Sequence, residues 1–177
     1  MVKRSEELKH QLEELKALKE QKFNEMVANR TDPTQEGWEA AWNEYYDKYG
    51  RQFGEDIRSL ERAIHTEMNR EVEVGDGVTM YLYSDAYACT VIAKTAKTIT
   101  VQRDKATLDP NFKPEFVPGG FAAHCTNQDE QSYTYERDPN GEITKCYWSE
   151  KMGRFTTGGD QSIKIGLGRH EFYDYNF

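Results

Sequence analysis

The chain has 177 residues, with 23 Lys+Arg against 31 Asp+Glu and a formal charge of −8. Mean hydropathy is −0.91, yet 12% of the residues are aromatic, which supplies large side chains for a packed core and argues against a disordered acidic polymer. No stretch reaches the ~20 apolar residues of a membrane-spanning helix, which excludes a transmembrane function of that kind.

Met1 to Leu18 alternates charge with leucine and lacks the apolar stretch of a signal peptide, which predicts a cytosolic protein. Cys89, Cys125 and Cys146 are an odd set with no close pair, so neither a disulfide framework nor a four-thiolate zinc site is expected.

Composition changes near Val72. Residues 1–72 carry 12 Lys+Arg, 16 Asp+Glu and only three glycines, whereas residues 73–177 are rich in Thr, Val, Ile, Tyr and Gly. This predicts an α+β protein: a helical hairpin or coiled-coil-like segment over 1–72 that mediates self-association, then a small antiparallel barrel or meander over 73–177.

Leu8, Leu12, Leu15, Leu18, Phe23 and Met26 form an apolar stripe, and Glu and Lys occupy the other face, the pattern of an amphipathic helix. Asp32-Pro33-Thr34-Gln35 predicts a second helix start, with Asp32 as the cap and Pro33 in the first turn. Trp38, Ala41, Trp42, Tyr45 and Tyr49 fall on one face of that helix, and Gly50 is placed to end it in a left-handed conformation. Phe53, Ile57, Leu60 and Ile64 give a third stripe. Aromatic residues at this spacing are expected to pack against the parent protein, whereas the narrow leucine seam suits a homo-oligomer.

In the second segment, strand-like runs cover Val78 to Tyr83, Ala86 to Ala93, Thr98 to Arg103, Ser132 to Arg137, Ile143 to Trp148 and Ile163 to Leu167. Lys94-Thr95-Ala96-Lys97 and Asp138-Pro139-Asn140-Gly141 read as hairpin turns. Residues 107–131, with Pro110, Pro114 and Pro118-Gly119-Gly120, read as a long loop.

Catalytic signatures are sparse. His124 and Cys125 are neighbours whose side chains diverge in a strand, Ser84-Asp85 lacks a glycine-flanked elbow, and no spacing gives a closed metal shell. Gly75-Asp76-Gly77 and Gly158-Gly159-Asp160 read as turns and not as phosphate loops. The expectation is a non-enzymatic protein without a cofactor. Both halves are acidic, which argues against direct nucleic-acid binding, whereas a few arginines suffice for a small anion.

Three stretches of the second segment resemble a family of small bacteriophage and prophage proteins. They are Val74-Gly75-Asp76-Gly77-Val78-Thr79-Met80 with Tyr83 to Ile92, then Thr98 to Ala106, then Tyr133 to Gly141 with the closing Gly168 to Phe177. The layout is also similar to phage Thoeris anti-defence proteins. That resemblance implies an oligomer that traps a cyclic-nucleotide-type signal in the cytoplasm of the infected or lysogenic host without cleaving it. The alternatives are an anti-CRISPR-type acidic inhibitor, with Glu13, Glu14, Glu20, Asp129 and Glu130 facing a basic defence protein, or a virion accessory protein. For a nucleotide ligand, Tyr83, Tyr87, Tyr135 or Phe172 would stack the base, Arg103, Lys105, Arg137 and Arg169 would hold phosphate, and Asp85 would complete the site.

Overall fold

The computed structural model describes residues 3–119, 122–158 and 163–176. Gly120 of the expected loop, Gly159 and Asp160 of the expected turn, and the closing Phe177 lie outside them. The chain divides into two compact units, Met1–Met68 and Asn69–Phe177.

The first unit is helical. Helix α1 (Arg4–Asn29) is followed by α2 (Gln35–Tyr45), a π-helical segment (Tyr46–Gly50) and α3 (Arg51–Arg70). Leu8 and Leu12 of α1 bury against Ile64 of α3, with Ile57, Leu60, Ala63 and Met68 packed around them. The leucine stripe is used unevenly, for Leu18 is 43% exposed.

The cap of α2 lies two residues later than expected. Thr34 accepts from the Gly37 amide at 3.1 Å, while Asp32 Oδ1 accepts from the Thr34 amide and hydroxyl at 2.9 and 2.7 Å. Asp32 therefore orients the cap and does not serve as one. Gly50 does not stop the helix either, since it has no positive φ and the chain continues directly into α3. The lack of a side chain at Gly50 has a steric purpose: a Cβ there would lie 2.9 Å from the Tyr46 ring.

The second unit is built on a closed six-stranded antiparallel barrel in the order β1-β10-β9-β8-β3-β2. Its strands are β1 (Gly77–Tyr81), β2 (Ala86–Lys94), β3 (Thr98–Arg103), β8 (Ile143–Ser149), β9 (Arg154–Thr156) and β10 (Lys164–Leu167). Cross-strand partners fill the interior in pairs: Val78 with Cys89, Val91 with Val101, Ile99 with Cys146, Trp148 with Phe155 and Met80 with Ile165. Short β-branched and thiol side chains dominate because so small a barrel has little room between its walls. A bulge at Val91–Ala93 shifts the β2–β3 register and adds curvature for closure.

Between β3 and β8 the chain leaves the barrel. Strand β4 (Lys105–Leu108) pairs with β7 (Tyr133–Glu136), and β5 (Phe116–Gly119) pairs with β6 (Ala122–Cys125). The stretch 107–131 is thus not a plain loop, because it carries a β-hairpin and a 3₁₀ turn at Gln128–Glu130.

Asp138-Pro139-Asn140-Gly141 makes a turn, Gly141 N to Asp138 O at 3.0 Å, but it does not join paired strands. Neither Asn140 nor Gly141 has the positive φ of a tight hairpin, and β7 and β8 pair with different partners. Gly141 is needed for another reason: its Cβ would sit 2.0 Å from the Arg103 carbonyl oxygen, where β3 and β8 converge.

Burial pushes the Cys89 thiol up to about 12 and the Cys146 thiol up to about 11, so both stay protonated at neutral pH. Two outcomes follow. Ile99→Ala costs about 2–5 kcal/mol in urea unfolding. Iodoacetamide at pH 8 modifies Cys89 and Cys146 only once the protein is unfolded, as mass spectrometry of digests will read out.

Candidate functional site

Strand β3 runs beside β2 only as far as Cys89, opposite Arg103, and then turns away into β4. The start of β2 would be left with a free edge. The C-terminal segment fills it: Ala86 and Phe172 exchange backbone hydrogen bonds at 3.0 and 2.9 Å, and Glu171 Oε2 accepts from the Ala88 amide at 2.9 Å.

Two arginine–carboxylate pairs hold that segment. Arg103 reaches both carboxylate oxygens of Glu171 and donates from Nη1 to the carbonyls of Ala88 at 2.9 Å and Asp104 at 3.1 Å. Its guanidinium lies 4.3 Å from the Tyr87 ring centroid. Arg169 donates from Nε to Asp104 Oδ2 at 2.7 Å and from Nη2 to Thr90 Oγ1 at 2.8 Å, and the Thr90 hydroxyl donates to Asp104. The Asp104 side chain is 2% exposed. Arg169 crosses Gly77 so closely that a Cβ there would lie 2.6 Å from its Cγ.

Six of the expected ligand-binding residues converge here. Tyr87, Arg103 and Arg169 belong to the pairs just described, the Tyr135 hydroxyl accepts from the Glu171 amide at 3.2 Å, Phe172 bridges to Ala86, and Asp85 accepts from the Asp174 amide at 2.9 Å. The other three lie outside the cluster. Tyr83 is 93% exposed, Lys105 faces Glu136 at 3.7 Å on the surface, and Arg137 is exposed. Two guanidinium charges meet two carboxylate charges, so the cluster has no positive excess left for phosphate. Sequence reading identifies the arginines and misses their partners, because Asp104 and Glu171 look like any other surface acid until the fold buries them.

The C-terminal segment then ties down the β5–β6 excursion. Asn176 accepts from the Cys125 amide at 2.6 Å and donates to its carbonyl at 3.1 Å, Tyr175 N donates to Gln128 Oε1 at 3.0 Å, and Tyr175 meets the rings of Phe112 and Phe116. Gln131 Oε1 accepts from the Tyr133 hydroxyl at 2.7 Å, and burial raises that phenol to about 12, keeping it a donor.

A second feature lies within the helical unit. Phe23 packs edge-on to Trp38, Trp42 and Tyr45 at 6.4, 6.1 and 5.9 Å. Tyr45 is 5% exposed and donates to the Lys19 carbonyl at 3.4 Å, whereas Trp42 is 41% exposed. Tyr45 borders two open cavities. One, of about 560 Å³, is walled by Phe23, Trp42 and Ile57 with Lys16, Lys19 and Glu20 at its rim. The other, of about 330 Å³, is lined by Tyr49, Lys22, Arg30, Lys48, Glu25 and Glu44 among others.

Across the two linings, five cations face three carboxylates in a segment that is otherwise acidic. Lys22 is held by Glu25 at 2.7 Å, which raises the lysine and lowers the carboxylate, and Lys16 is held by Glu13 at 3.2 Å. Among the described residues Lys19, Arg30 and Lys48 form no ion pair, while Arg30 sits over Trp38 at 5.0 Å and Lys48 over Tyr49 at 5.2 Å. The expectation that the aromatic stripe packs against the parent protein holds in full for Tyr45 and in part for Trp42, which lies on Phe23 and Tyr45 yet stays 41% exposed.

Among the described residues no group of three or more His, Cys, Asp or Glu is placed to hold a metal ion. No family model matches the chain, and no curated protein or solved structure matches it.

Replacing Arg103 by Met strands Glu171 and is expected to cost on the order of 3 kcal/mol in urea unfolding. Arg103→Met with Glu171→Gln costs less than the sum of the two single changes, a coupling read from the double-mutant cycle.

Proposed function

We propose that this chain is a non-enzymatic counter-defence protein of bacteriophage origin, which sequesters a small nucleotide-type signal in the cytoplasm of the host, and that the helical unit holds the ligand. The observation that carries the reading is the half-exposed Trp42 ring beside Phe23 and the unpaired Lys19, an apolar wall with a cation at its rim. A planar anion matches it: the base lies against the indole and the phosphate meets the ammonium. The cavity beside Trp42, about 560 Å³, falls within the ~300–1,000 Å³ range of small-ligand sites. The resemblance of 73–177 to phage proteins supplies the biological setting.

Placing the ligand there, and not at Arg103 and Arg169, follows from the charge already matched within the barrel unit. Lys105 and Arg137 are too exposed to be desolvated around a phosphate. The reading includes self-association through α1, where Leu18 of the leucine seam stands 43% exposed among charged neighbours. Among the described residues no helix is long and apolar enough to cross a membrane.

The test titrates the protein with cyclic ADP-ribose, ADP-ribose, AMP and inorganic phosphate while following tryptophan fluorescence and heat of binding. Binding of at least one nucleotide, weakened about tenfold or more by Trp42→Ala (roughly 1.4 kcal/mol) and by Lys19→Glu but unchanged in Arg137→Ala, supports the site. No response to any of the nucleotides removes it. Separately, Leu18→Glu should lower the mass seen by sedimentation to that of a single chain, and an unchanged mass would place self-association elsewhere.

A further inference from the structure

The acidity of the second unit is unevenly distributed. Residues 104–142 carry eight Asp+Glu against three Lys+Arg, whereas residues 143–167, which contain β8, β9 and β10, carry four Lys+Arg against two Asp+Glu. One of those two, Glu150, is taken by Arg70 at 3.1 Å. Overall charge therefore misdescribes this side of the barrel.

Register places the cations among aromatic rings. Tyr81 of β1 lies opposite Lys164 of β10, Lys164 opposite Thr156 of β9, Thr156 opposite Tyr147 of β8, and Tyr147 opposite Thr98 of β3. Directly opposed residues share a face of the sheet, and each row neighbour is about 4.8 Å away. The face is the outer one, since the alternating residues Met80, Ile165, Phe155 and Cys146 lie on the core side; Thr156 at the centre of the row is 5% exposed, so the accessible groups are the tyrosines and cations around it. Two residues along their strands, Lys145 and Arg154 join the same outer face.

The rings are held as platforms. Tyr81 lies against Gly166, where a Cβ would come within 2.5 Å of its Cε2, and Tyr147 lies beside Gly158; the two tyrosines are still 43% and 48% exposed. Lys145 is 5.8 Å from the centroid of Tyr147. Among the described residues Lys145, Arg154 and Lys164 form no ion pair, unlike Lys94, Arg103, Lys105 and Arg169 of the same unit.

Exposed aromatic platforms about three strand spacings apart, with unpaired cations between and beside them, are what a flexible polyanion with flat bases requires. We infer that the outer face of β8, β9, β10 and β1 binds single-stranded nucleic acid, with bases stacked on Tyr147 and Tyr81 and the backbone along Lys145, Arg154 and Lys164. An acidic peptide would satisfy the cations and leave both rings unused. This site is independent of the groove in the helical unit and stands or falls without it.

The test is fluorescence anisotropy of a labelled oligothymidylate of about ten nucleotides, within the range one small barrel covers, with the full-length protein at several salt concentrations. Binding is expected, with log K falling against log[salt] at a slope near −2 for about three phosphate contacts. Lys145→Glu and Lys164→Glu should each weaken it tenfold or more, whereas Lys145→Arg and Lys164→Arg retain it. Tyr147→Leu, which keeps an apolar side chain over Gly158, should weaken binding several-fold at every salt concentration without changing the slope. Trp42→Ala should leave it unchanged, which separates this site from the groove. Absence of binding at low salt overturns the inference. So does equal binding of polyglutamate of matched charge with no effect of Tyr147→Leu, which would make the face a surface for acidic proteins.

Discussion

The guanidinium group of Arg103 lies where β2, the departing β3 and the returning C-terminal segment meet, and the second unit is organised around that meeting. Once β3 leaves at Asp104, the start of β2 has backbone donors and acceptors that must be satisfied, and Glu171 and Phe172 supply the partners. Holding Glu171 there requires a countercharge, and Arg103 provides it in a two-pronged contact. Arg169 and Asp104 repeat the arrangement a few residues away, with Thr90 inside the network. Measured against well-packed apolar side chains such pairs add little stability, but either one half-removed leaves a buried charge alone. Their role is therefore one of placement: they decide where the C-terminal segment lies, and through Asn176 and Tyr175 where the β5–β6 hairpin is held.

The same side-chain chemistry has different consequences in different places. An arginine beside a tyrosine at Arg103 and Tyr87 is locked by carboxylates, whereas a lysine beside a tyrosine at Lys145 and Tyr147 is free of them. In the helical unit Arg30 and Lys48 rest on Trp38 and Tyr49 and form no ion pair among the described residues. What separates a structural cation from an available one is the presence of a buried acid. That is a property of packing, and net charge does not report it.

Much of the architecture is legible in the amino-acid sequence. The shift near Val72 from charged heptad-like sequence to β-branched and aromatic runs marks the α-to-β change, and β3 spans Thr98 to Arg103 as its alternation predicts. Boundaries set by local chemistry are less secure. Asp32 has the composition of a cap for α2, but Thr34 takes the amide, and Gly50 has that of a stop but accommodates the Tyr46 ring inside a continuing helix. Asp138 to Gly141 has the composition of a hairpin turn and serves as a crossover. Strand length alone does not decide legibility: β7 and β10 have four residues each and fall within predicted runs, whereas β5 and β6, equally short, lie in a stretch whose prolines and glycines read as loop.

For the candidate sites the division is sharper. Arg103, Arg169, Tyr87 and Tyr135 stand out in the sequence as residues worth attention, and they do lie together, but their partners come from as far away as position 171 and their charges cancel. Sequence alone determined the fold class, the acidic surface and the aromatic supply, because these depend on composition and short-range periodicity. Tertiary structure decided which arginines are spent, which tryptophan is left open and which lysines share a face with tyrosines. Each of those outcomes depends on strand register and on contacts between residues tens of positions apart, to which no local pattern in the chain is sensitive.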